Sequence, residues 1–229
     1  MPDQKVCWGM FRRRELLVPT WRGWLVLLAT LFLVGFCAVR GIHRFLSVND
    51  PRPGGVLIVE GWAADYTLAD TVAEFNRNHY DKLYVTGGPI EQGAVLSEYH
   101  TYAELATAVL LKLGMSTNSM EAVPGPPVVK DRTYASAVAL REWWKAHGVS
   151  PKTVNLMTEG SHARRSRLLF EKALGHDVAV GVIAIPSRAY DPKRWWRSSQ
   201  GVRTELGETL AYCYARFLFR PPKSVPEPP

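Results

Sequence analysis

Cysteine is scarce in this chain. Its 229 residues include three, Cys7, Cys37 and Cys213. One precedes the main apolar run, one lies inside it and one falls in a C-terminal helical pattern. Such spacing does not predict an internal disulfide framework. Metal-ligand signatures are missing as well: no His-x-x-x-His, no Cys pair, no clustered carboxylate motif, so no metal site is expected. Without Gly-x-Ser-x-Gly there is no nucleophile elbow of the α/β-hydrolase kind. Without a P-loop or Gly-x-Gly-x-x-Gly, the two best-known nucleotide fingerprints are absent, and the identity of any cofactor stays open. The near balance of basic and acidic residues after residue 47 argues against a nucleic-acid partner.

The net charge of +7 does not reverse that conclusion. Residues 1–47 hold Lys5, Arg12, Arg13, Arg14, Arg22, Arg40 and Arg44 against Asp3 and Glu15. The remainder is nearly balanced, with 21 basic and 19 acidic residues. The excess charge belongs to the flanks of one apolar run, WLVLLATLFLVGFCAV at 24–39.

With Trp21, Arg22 and Gly23 that run approaches the ~20 residues a helix needs to span a bilayer. Arg22 and Arg40 can snorkel outward, and Trp21 and Trp24 suit the interface. A core helix would show a polar side, which this run lacks. A cleaved signal would show small residues at the cut, and Val39-Arg40-Gly41 is a poor version of that pattern. The reading is a single-pass membrane anchor at 21–39, after a cytoplasmic segment at 1–20. Five basic residues before the apolar run at 24–39 against two after it place the N-terminus inside. The rest of the chain is then periplasmic or extracellular.

A linker is expected over 40–55, one domain over 56–219 and a disordered tail over 220–229. An apolar share of 47% and a charged share of 21% suit a globular domain, and its roughly 170 residues suffice for one buried core. Short apolar runs predict strands at 56–60, 82–86, 120–123, 153–158 and 178–185. Between them, helical spacing predicts helices over 68–78, 97–113 (capped by Ser97), 132–147 (capped by Asp131) and 161–174 (capped by Ser161). Two more follow, over 192–199 and 202–219. This alternation predicts an α/β fold, a Rossmann-like three-layer sandwich with a mainly parallel sheet, preceded by one transmembrane helix. Ligands of such sheets bind beyond the carboxyl ends of the strands.

The loops at those ends carry an ordered set of motifs. They are VLIVEGW at 56–62, Thr86-Gly87-Gly88, Ser97-Glu98, Asp131-Arg132-Thr133-Tyr134, and Thr158-Glu159-Gly160-Ser161-His162-Ala163-Arg164-Arg165. In this order, over residues 56–219, the chain resembles the bacterial DUF218 proteins, the YdcF/SanA/ElyC-like family. The resemblance implies a Rossmann-like domain, often behind one membrane helix and linked to the cell envelope. It implies no particular reaction, because no general catalytic mechanism is established for that family. The first turn here is Glu60-Gly61-Trp62 where the family usually has several glycines. Thr71 stands where it often has arginine, and Arg132 and Ser136 where asparagines are common. A smaller, bulkier-lined or differently charged site follows from these departures.

The candidate site residues carry two readings each. Gly87 and Gly88 let backbone amides approach a phosphate or carboxylate, or form an ordinary turn. Glu98 is a general base or hydroxyl ligand, or only complements a helix dipole. Asp131 and Thr133 shape a helix start. Arg132, a cation opposing that helix's dipole, asks for an anionic ligand or a carboxylate such as Glu98. His162 and Arg165 share a helix face, the first fit to move a proton and the second to clamp an anion. Alternatively His162 caps and Arg165 pairs with an acid. The expected ligand is an anionic small molecule or a lipid-linked envelope precursor. An enzyme, a non-catalytic binding module and a scaffold recruiting partners through Trp143-Trp144 and Trp195-Trp196 all remain open. Oligomeric state cannot be read from the sequence.

Overall fold

The computed structural model describes residues 18–222 and the segments Lys5–Val6 and Phe11–Arg12. The chain forms two compact units, Met1–Gly41 and Ile42–Pro229. In the first, Lys5–Val6 pairs antiparallel with Phe11–Arg12. Helix α1 (Trp21–Leu46) starts there. Its 26 residues span about 39 Å at 1.5 Å each, and it is long and apolar enough to cross a membrane.

The helix does not stop at residue 39, as the apolar run suggested. It continues to Leu46, because the sequence after Arg40 still has apolar residues to bury. Within the second unit Leu46 is fully buried, and the Phe45 ring meets Tyr212 edge-on at 5.5 Å. What was expected as linker from residue 40 is therefore helix up to residue 46. The rest is pinned to the sheet: Asp50 bridges to Val182, and the buried Asn155 side chain brackets the Arg52 backbone with two 2.7 Å bonds.

The second unit then runs β1 (Val56–Glu60), α2 (Asp65–Arg77), β2 (Leu83–Gly87), α3 (Tyr102–Lys112), β3 (Met120–Pro124), α4 (Arg132–Ala146), β4 (Thr153–Glu159), α5 (Ala163–Leu174), β5 (Ala179–Ile185) and α6 (Ser199–Cys213). A 3-10 segment, Pro192–Arg197, precedes α6, and a π-turn, Tyr214–Leu218, follows it. The five strands form one parallel sheet in the order β3-β2-β1-β4-β5. This is the Rossmann-type order, which reverses direction at β1.

Side chains alternate across each strand. Val56 and Ile58 of β1 pack with Tyr134, Leu140 and Trp144 of α4 and Phe170 of α5. Leu57 and Val59 pack with Leu68 of α2 and Leu110 of α3. The result is a three-layer sandwich, and burial on both faces explains why the strands read as unbroken apolar runs. Neither Trp pair is exposed. Trp144 and Trp195 are buried, while Trp143 and Trp196 are half-buried. Trp143 stacks on His147 at 3.9 Å. The expected tail falls mostly on residues 223–229, outside the described residues.

Helix caps differ from expectation in three places. Ser97 does not open α3. Thr101 does, through a reciprocal capping box with Glu104, which satisfies two amides at once. Asp131 precedes α4 but makes no side-chain cap, since it sits at φ 58°, ψ 36° in the left-handed region. Ser161 does not cap α5. It lies in a 3-10 turn, Gly160–His162, with its hydroxyl donated to Glu205 at 2.6 Å.

Candidate functional site

The loops after β1, β2, β3 and β4 converge on one cavity of about 590 Å3 at the carboxyl edge of the sheet. Its lining includes Glu60, Trp62, Gly87, Gly88, Arg132 and His162. Glycine is required where α3 begins, because that helix presses on the sheet. A Cβ at Gly61 would lie 2.5 Å from the Tyr102 carbonyl oxygen, and one at Gly87 would lie 2.8 Å from the Ala103 amide nitrogen. Gly87 thus has a packing role. Gly88 is open, with only Pro126 oxygen near, at 3.8 Å from a built Cβ.

Arg165 and His162 do come together, and a residue the sequence reading passed over joins them. Glu208 on α6 accepts from Arg165 Nε at 2.7 Å and from its NH2 group at 3.1 Å. Its Oε1 also lies 3.1 Å from His162 Nδ1. Burial pushes the Glu208 carboxyl up, but His162 and Arg165 outweigh it and hold it at about 2. Burial pulls the Arg165 guanidinium down, and Glu208 reverses that and raises it. Both partners stay charged.

Arg165 also lies 3.1 Å from His162 Nδ1. A guanidinium only donates, so it competes with the carboxylate for the state of that nitrogen. The Arg165 NH2 group already has the stronger, charged acceptor in Glu208. With Nδ1–H donated to Glu208, Nε2 is the nitrogen left for a ligand. The ring is further held by Trp62, 4.6 Å away between centroids.

The two arginines of the cleft differ in availability. Arg132 pairs with Glu91, not with Glu98, and both side chains are about 60% exposed (59% and 61%). Such a pair contributes about 0–1 kcal/mol and yields easily to a ligand. Arg165 and Glu208 are 18% and 10% exposed. Breaking a buried pair by removing one partner costs about 3–5 kcal/mol. Arg132 is thus the anion-accessible arginine, and Arg165 is the one that positions. Thr133 accepts a long 3.4 Å bond from Arg165. Because the Asp131 side chain caps nothing, the first amides of α4 remain for solvent or a ligand. The Asp131 carboxylate accepts instead from Tyr214, at 3.5 Å.

Glu98 is not brought to the cleft. It lies in the exposed segment before α3 and is absent from the lining of the cavity. The carboxylates that line it are Glu60, Glu91 and Asp131, and Glu208 stands behind them as the partner of His162 and Arg165. Glu60 is 3% exposed and accepts from Ser166 at 2.9 Å. One sequence signal was available for Glu208: Glu205 and Glu208 sit three apart in a helix and so share its inner face.

Glu205 centres a neighbouring polar cluster. Its Oε1 lies 2.7 Å from His43 Nδ1, 2.6 Å from Ser161 Oγ and 2.8 Å from the Tyr190 hydroxyl. Ser161 Oγ also faces His43 Nδ1, at 3.2 Å. A hydrolytic triad needs the serine and the acid on different ring nitrogens. Here both meet the same one, so this is a buried structural network. Among the described residues no group of His, Cys, Asp and Glu is arranged to hold a metal ion.

Fold and site together define a Rossmann-type α/β domain with a polar cleft at its strand ends, behind a helix long enough to cross a membrane. No known protein-family profile matches this sequence, and no curated protein sequence does.

Proposed function

We propose that the chain is a membrane-anchored cell-envelope protein of the DUF218 type, whose cleft receives a phosphorylated, lipid-linked or glycan precursor. The helix at Trp21–Leu46 is the anchor. The excess of basic residues before it favours a cytoplasmic N-terminus, with the α/β domain periplasmic or extracellular. The observation that carries the reading is the His162–Glu208–Arg165 network at the wall of the large cavity. An ionised carboxylate orients an imidazole whose second nitrogen is left for a ligand, which is the arrangement of a general acid or base. Arg132, Thr133 and the turn at Gly87-Gly88 would receive the anionic group beside it.

The test is turnover of envelope precursors by the full-length chain in lipid nanodiscs. His162→Gln should slow it by roughly 10²–10⁴-fold. Unchanged turnover in that variant would remove His162 from the chemistry.

A non-catalytic binding module is the second reading. It is favoured by one observation: among the described residues no Ser, Thr or Cys hydroxyl or thiol is hydrogen-bonded to His162. Binding without turnover, lost in Arg132→Ala and kept in His162→Gln, would select it.

A further inference from the structure

A second cavity of about 290 Å3 shares the Trp62 and His162 side chains with the first. It lies between the loops that follow β1 and β4, where the strand order reverses. The chemistry of its lining differs from that of the larger cavity. No Lys or Arg is among its lining residues, which include Glu159, Ser187, Tyr190, Gln200 and Thr204.

Glu159 is the only carboxylate in that lining. Its Oε1 is taken by the Tyr66 hydroxyl and by Ser187, at 2.7 Å. Oε2 is left as an acceptor. Gln200 offers an amide that both donates and accepts, and Thr204 a hydroxyl. Trp62 presents an indole to both spaces. A phosphate would meet the Glu159 carboxylate here and no Lys or Arg. A ring bearing hydroxyls would meet acceptors, donors and an aromatic face, with room for one such unit.

We infer that the smaller cavity binds a single neutral glycosyl unit, and that the two cavities together hold a glycosyl phosphate. The sugar lies against Glu159, Gln200 and Trp62, the phosphate toward Arg132 and Thr133, and His162 stands where the two meet. This rests on the anion-binding role proposed above for the larger cavity.

The full-length chain in nanodiscs is titrated calorimetrically with inorganic phosphate, glucose 1-phosphate and ethanolamine phosphate. Glucose 1-phosphate should bind at least about tenfold more tightly than inorganic phosphate, the effect of one or two added hydrogen bonds to a charged group. Glu159→Gln and, separately, Gln200→Ala should remove that gain and leave inorganic phosphate binding unchanged. Gln200 is exposed, so its variant carries the comparison if the Glu159 variant does not fold. Equal binding of glucose 1-phosphate and inorganic phosphate would overturn the inference alone. So would a gain with ethanolamine phosphate instead, since Glu159 would then be holding a cation. Absence of any phosphate binding, or phosphate binding indifferent to Arg132→Ala, would overturn the anion reading and the inference with it.

Discussion

Arg165 Nε lies 2.7 Å from Glu208 Oε2, across 43 residues of sequence. That pair joins the start of α5 to the middle of α6 and fixes His162 between them. It is buried and doubly bonded, so its integrity affects both stability and the site.

Removing one partner should therefore be costly. Glu208→Gln leaves a buried guanidinium without its counter-charge, and a loss of about 3–5 kcal/mol is expected. The midpoint of denaturant unfolding measures it. Replacing both, Arg165→Met with Glu208→Leu, should recover much of that loss. A double variant no more stable than the single one would contradict the uncompensated-charge account.

Acid should destabilise the domain through the same residue. The Glu208 carboxyl is held at about 2 against an ordinary value of 4.5. Its folded value lies below its unfolded one. The stabilisation is thus present above about pH 4.5 and lost as pH falls toward 2. It amounts to ~3 kcal/mol, an order-of-magnitude figure. Thermal unfolding followed from pH 6 to 2 should show this acid limb in the parent and a shallower one in Glu208→Gln.

The exposed arginine should behave in the opposite way. Arg132→Ala breaks only its surface pair with Glu91, so stability should change by less than about 0.5 kcal/mol. Phosphate binding should nevertheless fall. In Arg165→Ala stability falls first. Comparing unfolding midpoints with phosphate titrations of both variants separates holding an anion from positioning His162.

Gly61→Ala tests the tight seat of α3. Its new methyl would lie 2.5 Å from the Tyr102 carbonyl oxygen. Strain of about 1–3 kcal/mol is expected, with a shifted α3 start and a disturbed cavity wall. An alanine variant as stable as the parent would show that the helix start moves freely.

Much of the architecture was legible from the chain. The strands expected at 56–60 and 153–158, the helices between them and the parallel α/β class follow from apolar periodicity, a property of neighbouring residues. The helix long and apolar enough to cross a membrane was legible for the same reason, though its end was not. Whether residues 40–46 stay helical depends on a surface for Leu46 to bury against, which hydropathy does not contain. Helix starts were misplaced where two caps competed: Ser97 and Thr101 both suit the role, and only Thr101 has a Glu three residues on to complete the box. That shift of a few residues left Glu98 outside the cleft.

The site divides along the same line. Gly87, Gly88, Arg132, Thr133, His162 and Arg165 were reachable because each sits at a strand end or helix start, where loop chemistry shows in sequence. The partners that define their roles were not. Glu208 reaches Arg165 from a distant helix, and Glu91 takes the place expected for Glu98. Whether an arginine holds a ligand or a neighbour depends on its burial and on the nearest carboxylate. Local sequence determined which residues stand at the cleft. Tertiary packing alone decided which of them are free to act, because desolvation and pairing arise only when distant elements meet.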